Sequence, residues 1–280
     1  MLSSKDFDLQ RRLSKVVIPF LFWAVSYYFW YLYVLKDDSF LLIDFVKEII
    51  KGHSTAHLPA HLWFLPLIIS IYFVVPLLKY FLNYAKHDEV RNFIVTLCIF
   101  SIALPVTQKL LGIDTSSYKP FVFTIFILYF ISGVYLIQNK YSTKLSLLFY
   151  ILGFFITLYT HWSFNADSMK FNNYAYRPEF IGIVFMTLSF FIIIKNISLK
   201  KDYFLIKILA TIGKLSFGIY LIHIFWQQIL MRGYLGFSIH PKIFASIIAI
   251  PSMTIIVLGL SIVSILIIKK IPYAAKILPD

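Results

Sequence analysis

The chain is poor in charge. Only 14% of its 280 residues are Asp, Glu, Lys or Arg, against about a quarter in an ordinary soluble domain. So few charges cannot cover a globular surface, which excludes a water-soluble enzyme. Disordered segments lack apolar residues, and here 60% of residues are hydrophobic and 19% aromatic, so disorder is excluded too. A single cysteine, Cys98, leaves no internal disulfide and no cysteine zinc cage. No phosphate-cradling glycine loop, dinucleotide fingerprint or HExxH helix occurs. The first fifteen residues are polar and no cleavage site follows them, so no secretory leader is expected. What the chain has in quantity is long apolar runs and a formal charge of +13.

A helix needs roughly 20 mostly apolar residues to cross the hydrocarbon core. Eight stretches qualify, at 16–35, 62–82, 92–108, 120–137, 145–160, 180–194, 208–231 and 243–268. They are too long for barrel strands and lack strict alternation. The expected fold is all-α: a polytopic integral membrane bundle of about eight transmembrane helices, forming one domain over residues 1–280.

Cytoplasmic loops carry excess Lys and Arg, which tests the span count. Lys5, Arg11, Arg12 and Lys15 fall on one side, with the turns holding Lys79, Lys86, Arg91, Lys140 and Lys144. The stretch from Lys195 to Lys207 and the tail Lys269, Lys270 and Lys276 fall there too. The opposite loops hold fewer basic residues, so both termini are expected in the cytoplasm. This scatter over short turns makes the charge a record of orientation rather than a nucleic-acid surface. Trp63, Trp162 and Trp226 occur near span ends, as an interfacial aromatic belt would place them. Between the first two spans, Leu41, Leu42, Phe45, Val46, Ile49 and Ile50 make an apolar stripe, which predicts an amphipathic helix lying in the outer interface.

Six histidines, His53, His57, His61, His161, His223 and His240, fall on the outer side, and His87 on the inner. Titratable groups within spans are costly and point to function. His223 sits well inside the seventh span, where the competing reading is a histidine bonded across helices. His53, His57 and His61 recur every four residues. Pro59 breaks the helix between the last two, and no carboxylate or cysteine completes the set, so no metal site is expected.

Three segments together resemble the membrane acyltransferase-3 family. HLWFLPLIISIYFVVPLL at 61–78 resembles its signature span, and GKLSFGIYLIHIF at 213–225 its penultimate span with Tyr-x-x-His. RRLSKVVIPFLFW at 11–23 is similar to the basic loop leading into its third span. Order and spacing agree along essentially the whole chain. Within the family the likeness is closest to surface-polysaccharide O-acyltransferases of the enterobacterial common antigen O-acetyltransferase type.

The resemblance implies acyl transfer, usually acetyl, from cytoplasmic acyl-CoA to a hydroxyl of a cell-envelope polysaccharide or lipid-linked sugar, in a bacterial inner membrane. Acyl-CoA is then a co-substrate, and no bound cofactor is expected. His223 and His61 are the catalytic candidates, because a sugar hydroxyl is a weak nucleophile and histidine is the base poised near neutral pH. Tyr220, Trp63 and His161 are the candidate acceptor-binding residues. Arg11, Arg12 and Lys15 are candidates for the donor's phosphates; where the family has a second Arg, Lys15 keeps the charge without the planar fork.

Family members typically have ten spans, the first carrying an Arg with a His eleven positions later. Eleven positions after the arginines of this chain stand Phe22, Trp23, Ile102, Leu188 and Ile243. The family's first two spans and that pair are thus missing, and these residues alone are expected to be inactive unless His223 and His61 serve instead. An exporter of polysaccharide or lipid-linked sugar, and a non-catalytic truncated family member, are the alternatives.

Overall fold

The computed structural model describes residues 8–34, 43, 46–47, 60–103, 111, 120–166, 172–198, 204–239, 246–272, 274 and 277–278. Among them there is no strand, and every expected span has a helix. These are α1 (Leu9–Phe29), α2 (Phe64–Tyr84), α3 (His87–Cys98), α4 (Pro120–Gln138), α5 (Thr143–Asn165), α6 (Ile181–Asn196), α7 (Phe204–Arg232) and α8 (Ser246–Ile268). Single π turns extend α1 through Trp30–Val34 and α3 through Ile99–Ala103, and a 3₁₀ turn, Ala60–Trp63, leads into α2. The protein is an all-α, multi-pass integral membrane bundle.

Six helical segments are long and apolar enough to cross a bilayer: Leu9–Val34, His61–Tyr84, Thr143–Asn165, Tyr174–Asn196, Ile206–Arg232 and Ser246–Ile268. The other two expected spans are weaker. The described apolar part of α4 is Thr124–Gln138. The α3 span opens on His87, Asp88, Glu89 and Arg91, a polar turn that caps the helix, with Glu89 accepting from the Lys86 backbone N–H at 2.7 Å. Most of the expected interfacial helix, including residues 41–42, 44–45 and 48–51, lies outside the described residues, as do His53, His57 and His240. Trp63 and Trp162 are exposed at helix ends, as a belt requires. Trp226 differs: it is half-buried and its Nε1 donates to Ser264 Oγ at 3.0 Å, an interhelical bond.

The chain forms two compact units, one from residues 3–74 and 199–280, the other from 75–198. In the second, α5 and α6 pack closely because Gly153 and Gly182 face each other. A Cβ on Gly153 would lie 2.6 Å from the Gly182 carbonyl oxygen, and one on Gly182 would meet Thr157 Oγ1 and lie 2.8 Å from the Gly153 oxygen. Small residues that let backbones approach are the usual means of helix association in lipid, where no hydrophobic force draws helices together. Lys195 Nζ donates to the carbonyls of Leu136 (2.7 Å) and Asn139 (2.6 Å) at the end of α4, satisfying a helix C-terminus with a cation. Gly182→Ala is therefore expected to force α5 and α6 apart at a cost of about 1–3 kcal/mol. The melting temperature of the detergent-solubilised protein should fall by several degrees.

In the first unit, Asp8 caps α1 by accepting from the Arg11 backbone N–H at 2.9 Å. The core gathers Phe20, Trp23, Ala24 and Tyr27 of α1 with Leu62, Leu65, Leu221, Ile222, Ile265 and Leu278. Contacts between α1 and α7 advance together along both helices. Tyr27 Oη donates to the Leu221 carbonyl (2.8 Å), Trp30 Nε1 to Gln228 Oε1 (2.8 Å), and Tyr234 Oη to the Val34 carbonyl (3.3 Å). The two helices are parallel. α8 runs the other way, since Ile265 near its end packs at Gly218 while Met253 packs with Leu230. Arg11, Arg12 and Lys15, the start of α7 with Lys207, and Lys269 and Lys270 after α8 consequently lie at one end of this unit.

Candidate functional site

The candidate site is built where three elements of the first unit meet: Tyr27 of α1, His61 of the 3₁₀ turn, and Tyr220 and His223 of α7. A 3₁₀ turn forms at Ala60–Trp63 just before Pro66, a residue tolerated in a first helical turn. The turn aims the His61 ring into the bundle. That ring lies edge-on to Tyr27 at 5.5 Å, to Tyr220 at 5.3 Å and to His223 at 5.0 Å between centroids. Tyr220 Oη also donates to the His61 backbone carbonyl, tying the turn to α7.

His223 is oriented by its own helix. Its Nδ1 lies 2.8 Å from the Tyr220 carbonyl oxygen and 3.1 Å from that of Ile219. Carbonyls only accept, so Nδ1 bears the proton and donates. The neutral ring then presents Nε2 as a bare acceptor, the state a general base requires.

His61 is the reverse case. Both ring nitrogens are buried, and neither has a hydrogen-bond partner among the described residues. The nearest backbone acceptor is the Leu221 carbonyl, which also accepts from Tyr27; it faces the His61 ring without meeting hydrogen-bond geometry. An unpaired buried polar group costs about 1–3 kcal/mol. A histidine kept in that condition 5.0 Å from a second one is placed to bond something the protein itself does not supply.

The structure thus brings together three of the residues singled out from sequence: His61, Tyr220 and His223. Trp63 sits on the same turn but is exposed, edge-on to Phe64 at 5.9 Å, and Phe64 is edge-on to Tyr220 at 6.0 Å. His161 belongs to the other unit. There it accepts from Asn165 Nδ2 at Nδ1 (3.2 Å) and lies 5.0 Å from the Tyr176 ring. The same Asn165 amide bonds the Asn172 carbonyl at 3.1 Å, closing a local clasp. Arg11, Arg12 and Lys15 occupy the first turns of α1, with Arg11 and Lys15 exposed on one face. Among the described residues no group of three potential metal ligands forms.

Sequence reasoning missed Tyr27, which is buried to 2% exposure against His61. It also missed Gln228, whose amide donates to Tyr31 Oη at 2.9 Å while its carbonyl oxygen accepts from Trp30. The one available signal was polar side chains within otherwise apolar spans.

Residues 9–267 match the family described as an acyltransferase domain, acyltransferase-3. The matched stretch runs through both compact units, and the chain belongs to this family of membrane acyltransferases. No curated protein and no solved structure matches the chain significantly.

Proposed function

We propose that the protein transfers an acyl group, acetyl in the simplest case, from acyl-CoA to a hydroxyl of a cell-envelope polysaccharide or lipid-linked sugar. The membrane is the bacterial inner membrane, and the enterobacterial common antigen O-acetyltransferase type is the nearest description. The observation that supports this reading above all is the pairing of His223, with its proton fixed on Nδ1, with the partnerless His61.

In this scheme the acceptor hydroxyl gives its proton to His223 Nε2 as its oxygen attacks the thioester carbonyl. His61, through a ring N–H, donates to the carbonyl oxygen as negative charge develops there. The C–S bond breaks, and the imidazolium of His223 returns the proton to the departing thiolate. The products are an O-acyl ester and the free thiol of coenzyme A. Tyr220 and Tyr27 hold the His61 ring between them and do not enter the proton balance.

The donor's phosphates are assigned to Arg11, Arg12 and Lys15. At 1.5 Å per residue, Arg12 and Lys15 lie about 18–22 Å along α1 from Tyr27. The thioester end of the donor must therefore extend into the bundle while its phosphates stay at the basic end. Gln substitution at Arg12 or Lys15 is expected to raise KM for acyl-CoA by up to about fivefold each, since surface charge contacts contribute about 0.2–1 kcal/mol. Added salt should weaken this dependence, and kcat should hold. Initial-rate measurements with labelled acetyl-CoA at two ionic strengths test the assignment; a fall in kcat at constant KM would contradict it.

Transfer of label to a base-labile ester on envelope glycan tests the function itself. Export of a lipid-linked sugar into sealed vesicles without any need for acyl-CoA would favour the transporter reading instead.

A further inference from the structure

Two neighbouring glutamines of α7 have opposite fates. Gln228 is bonded at both its oxygen and its nitrogen, by Trp30 and Tyr31 of the π turn that extends α1. Gln227 is half-buried, and among the described residues nothing hydrogen-bonds its carboxamide. It lines a cavity of about 410 Å³ between α7 and α8, together with His223 and Thr254. That volume lies within the roughly 300–1,000 Å³ typical of small-molecule sites. The remaining walls, Ile219, Ile250, Met253, Val257 and Leu258, are apolar.

A polar side chain in a membrane span ordinarily pairs with a neighbour or marks a substrate path, and Gln227 has no hydrogen-bond partner among the described residues. It stands four residues after His223, so the two project from one face of α7 with Cβ atoms about 5–6 Å apart. Thr254, on the facing wall, donates its hydroxyl proton to the Ile250 carbonyl at 2.8 Å, which leaves its oxygen as an acceptor. The cavity therefore offers a bare imidazole nitrogen, a carboxamide able both to donate and to accept, and a hydroxyl acceptor. A compact polyol with adjacent hydroxyls matches this set.

We propose that this cavity receives the acceptor sugar and that Gln227 determines its specificity by bonding the hydroxyl next to the one His223 deprotonates. This rests on the acyl-transfer reading for the role of His223 but not for the binding itself. A sugar bound by Gln227 presents the neighbouring hydroxyl to Nε2, and an acceptor lacking the second hydroxyl forfeits that orientation.

The test is binding of methyl β-D-glucopyranoside and its monodeoxy analogues to the full chain in lipid nanodiscs without acyl-CoA, followed by ligand-observed NMR titration. Gln227→Leu is expected to weaken glucoside binding about tenfold, the equivalent of one hydrogen bond of roughly 1.4 kcal/mol. One deoxy analogue should bind the wild-type protein about tenfold more weakly and lose nothing further on Gln227→Leu. Should that variant fail to fold, Leu258→Trp fills the cavity from the other wall and is expected to abolish binding. No saturable binding by the wild type, unchanged affinity in either variant, or an equal loss for every analogue overturns the proposal. Labelled acetyl-CoA added to the same samples separates the two claims. Gln227-dependent binding without transfer supports the cavity and overturns the acyltransferase reading. Transfer indifferent to Gln227 does the reverse.

Discussion

Replacing His223 with alanine is expected to lower the rate of acyl transfer by about 10²- to 10⁴-fold, the usual contribution of a positioned general base. KM for acyl-CoA should stay near its wild-type value, because the basic turns of α1 are untouched. The expectation follows from the fixed tautomer. With Nδ1 donating to the carbonyls of Tyr220 and Ile219, the ring has one basic nitrogen, and no other described group in contact with His61 can take its place. His223→Gln should be no better than alanine, since a carboxamide does not accept a proton at neutral pH. Steady-state rates of ester formation decide it. A variant within a few-fold of wild type would remove His223 from the chemistry.

Replacing His61 with alanine is expected to lower kcat by about 10²–10³-fold, the loss seen when a preorganised donor to a developing oxyanion is removed. Here glutamine should restore part of the rate, because its N–H can donate where the imidazole did. The two histidines are thus distinguished by the same substitution. Stability should move the other way. His61→Phe keeps the ring contacts with Tyr27, Tyr220 and His223 and removes two buried, unpaired nitrogens, each costing about 1–3 kcal/mol. The phenylalanine variant should melt higher than wild type while transferring no acyl group. A lower melting temperature would mean that His61 is bonded in the native protein and serves the fold.

The helices were legible because lipid demands them: each run of apolar residues near 20 long has its helix. The weak case, 92–108, begins earlier than its apolar run because His87, Asp88 and Glu89 cap it. The Tyr-x-x-His spacing marked Tyr220 and His223 as neighbours, but that His223 bonds carbonyls of its own helix rather than a group across helices was not legible.

Which face of each helix turns inward was not legible. On α8 the buried positions Ala249, Met253, Val257, Ser261 and Ile265 recur every four residues, yet the exposed positions between them are nearly as apolar. Hydrophobic periodicity has no contrast in such a helix. Tyr27, Trp30 and Gln228 were invisible for a related reason. Their partners lie far away in sequence, and no local pattern announces a bond between α1 and α7. His161 was read as an acceptor-binding candidate from its place near the outer end of α5; its contacts with Asn165 and Tyr176, set by the loop after the helix, were not legible.

The most direct test of the account is transfer of labelled acetyl from acetyl-CoA to envelope glycan by the purified full chain, comparing wild type with His223→Ala. A base-labile labelled ester is expected with the wild-type protein and at least a hundredfold less with the variant. Equal labelling by the two proteins, or none by a folded wild type, would contradict it.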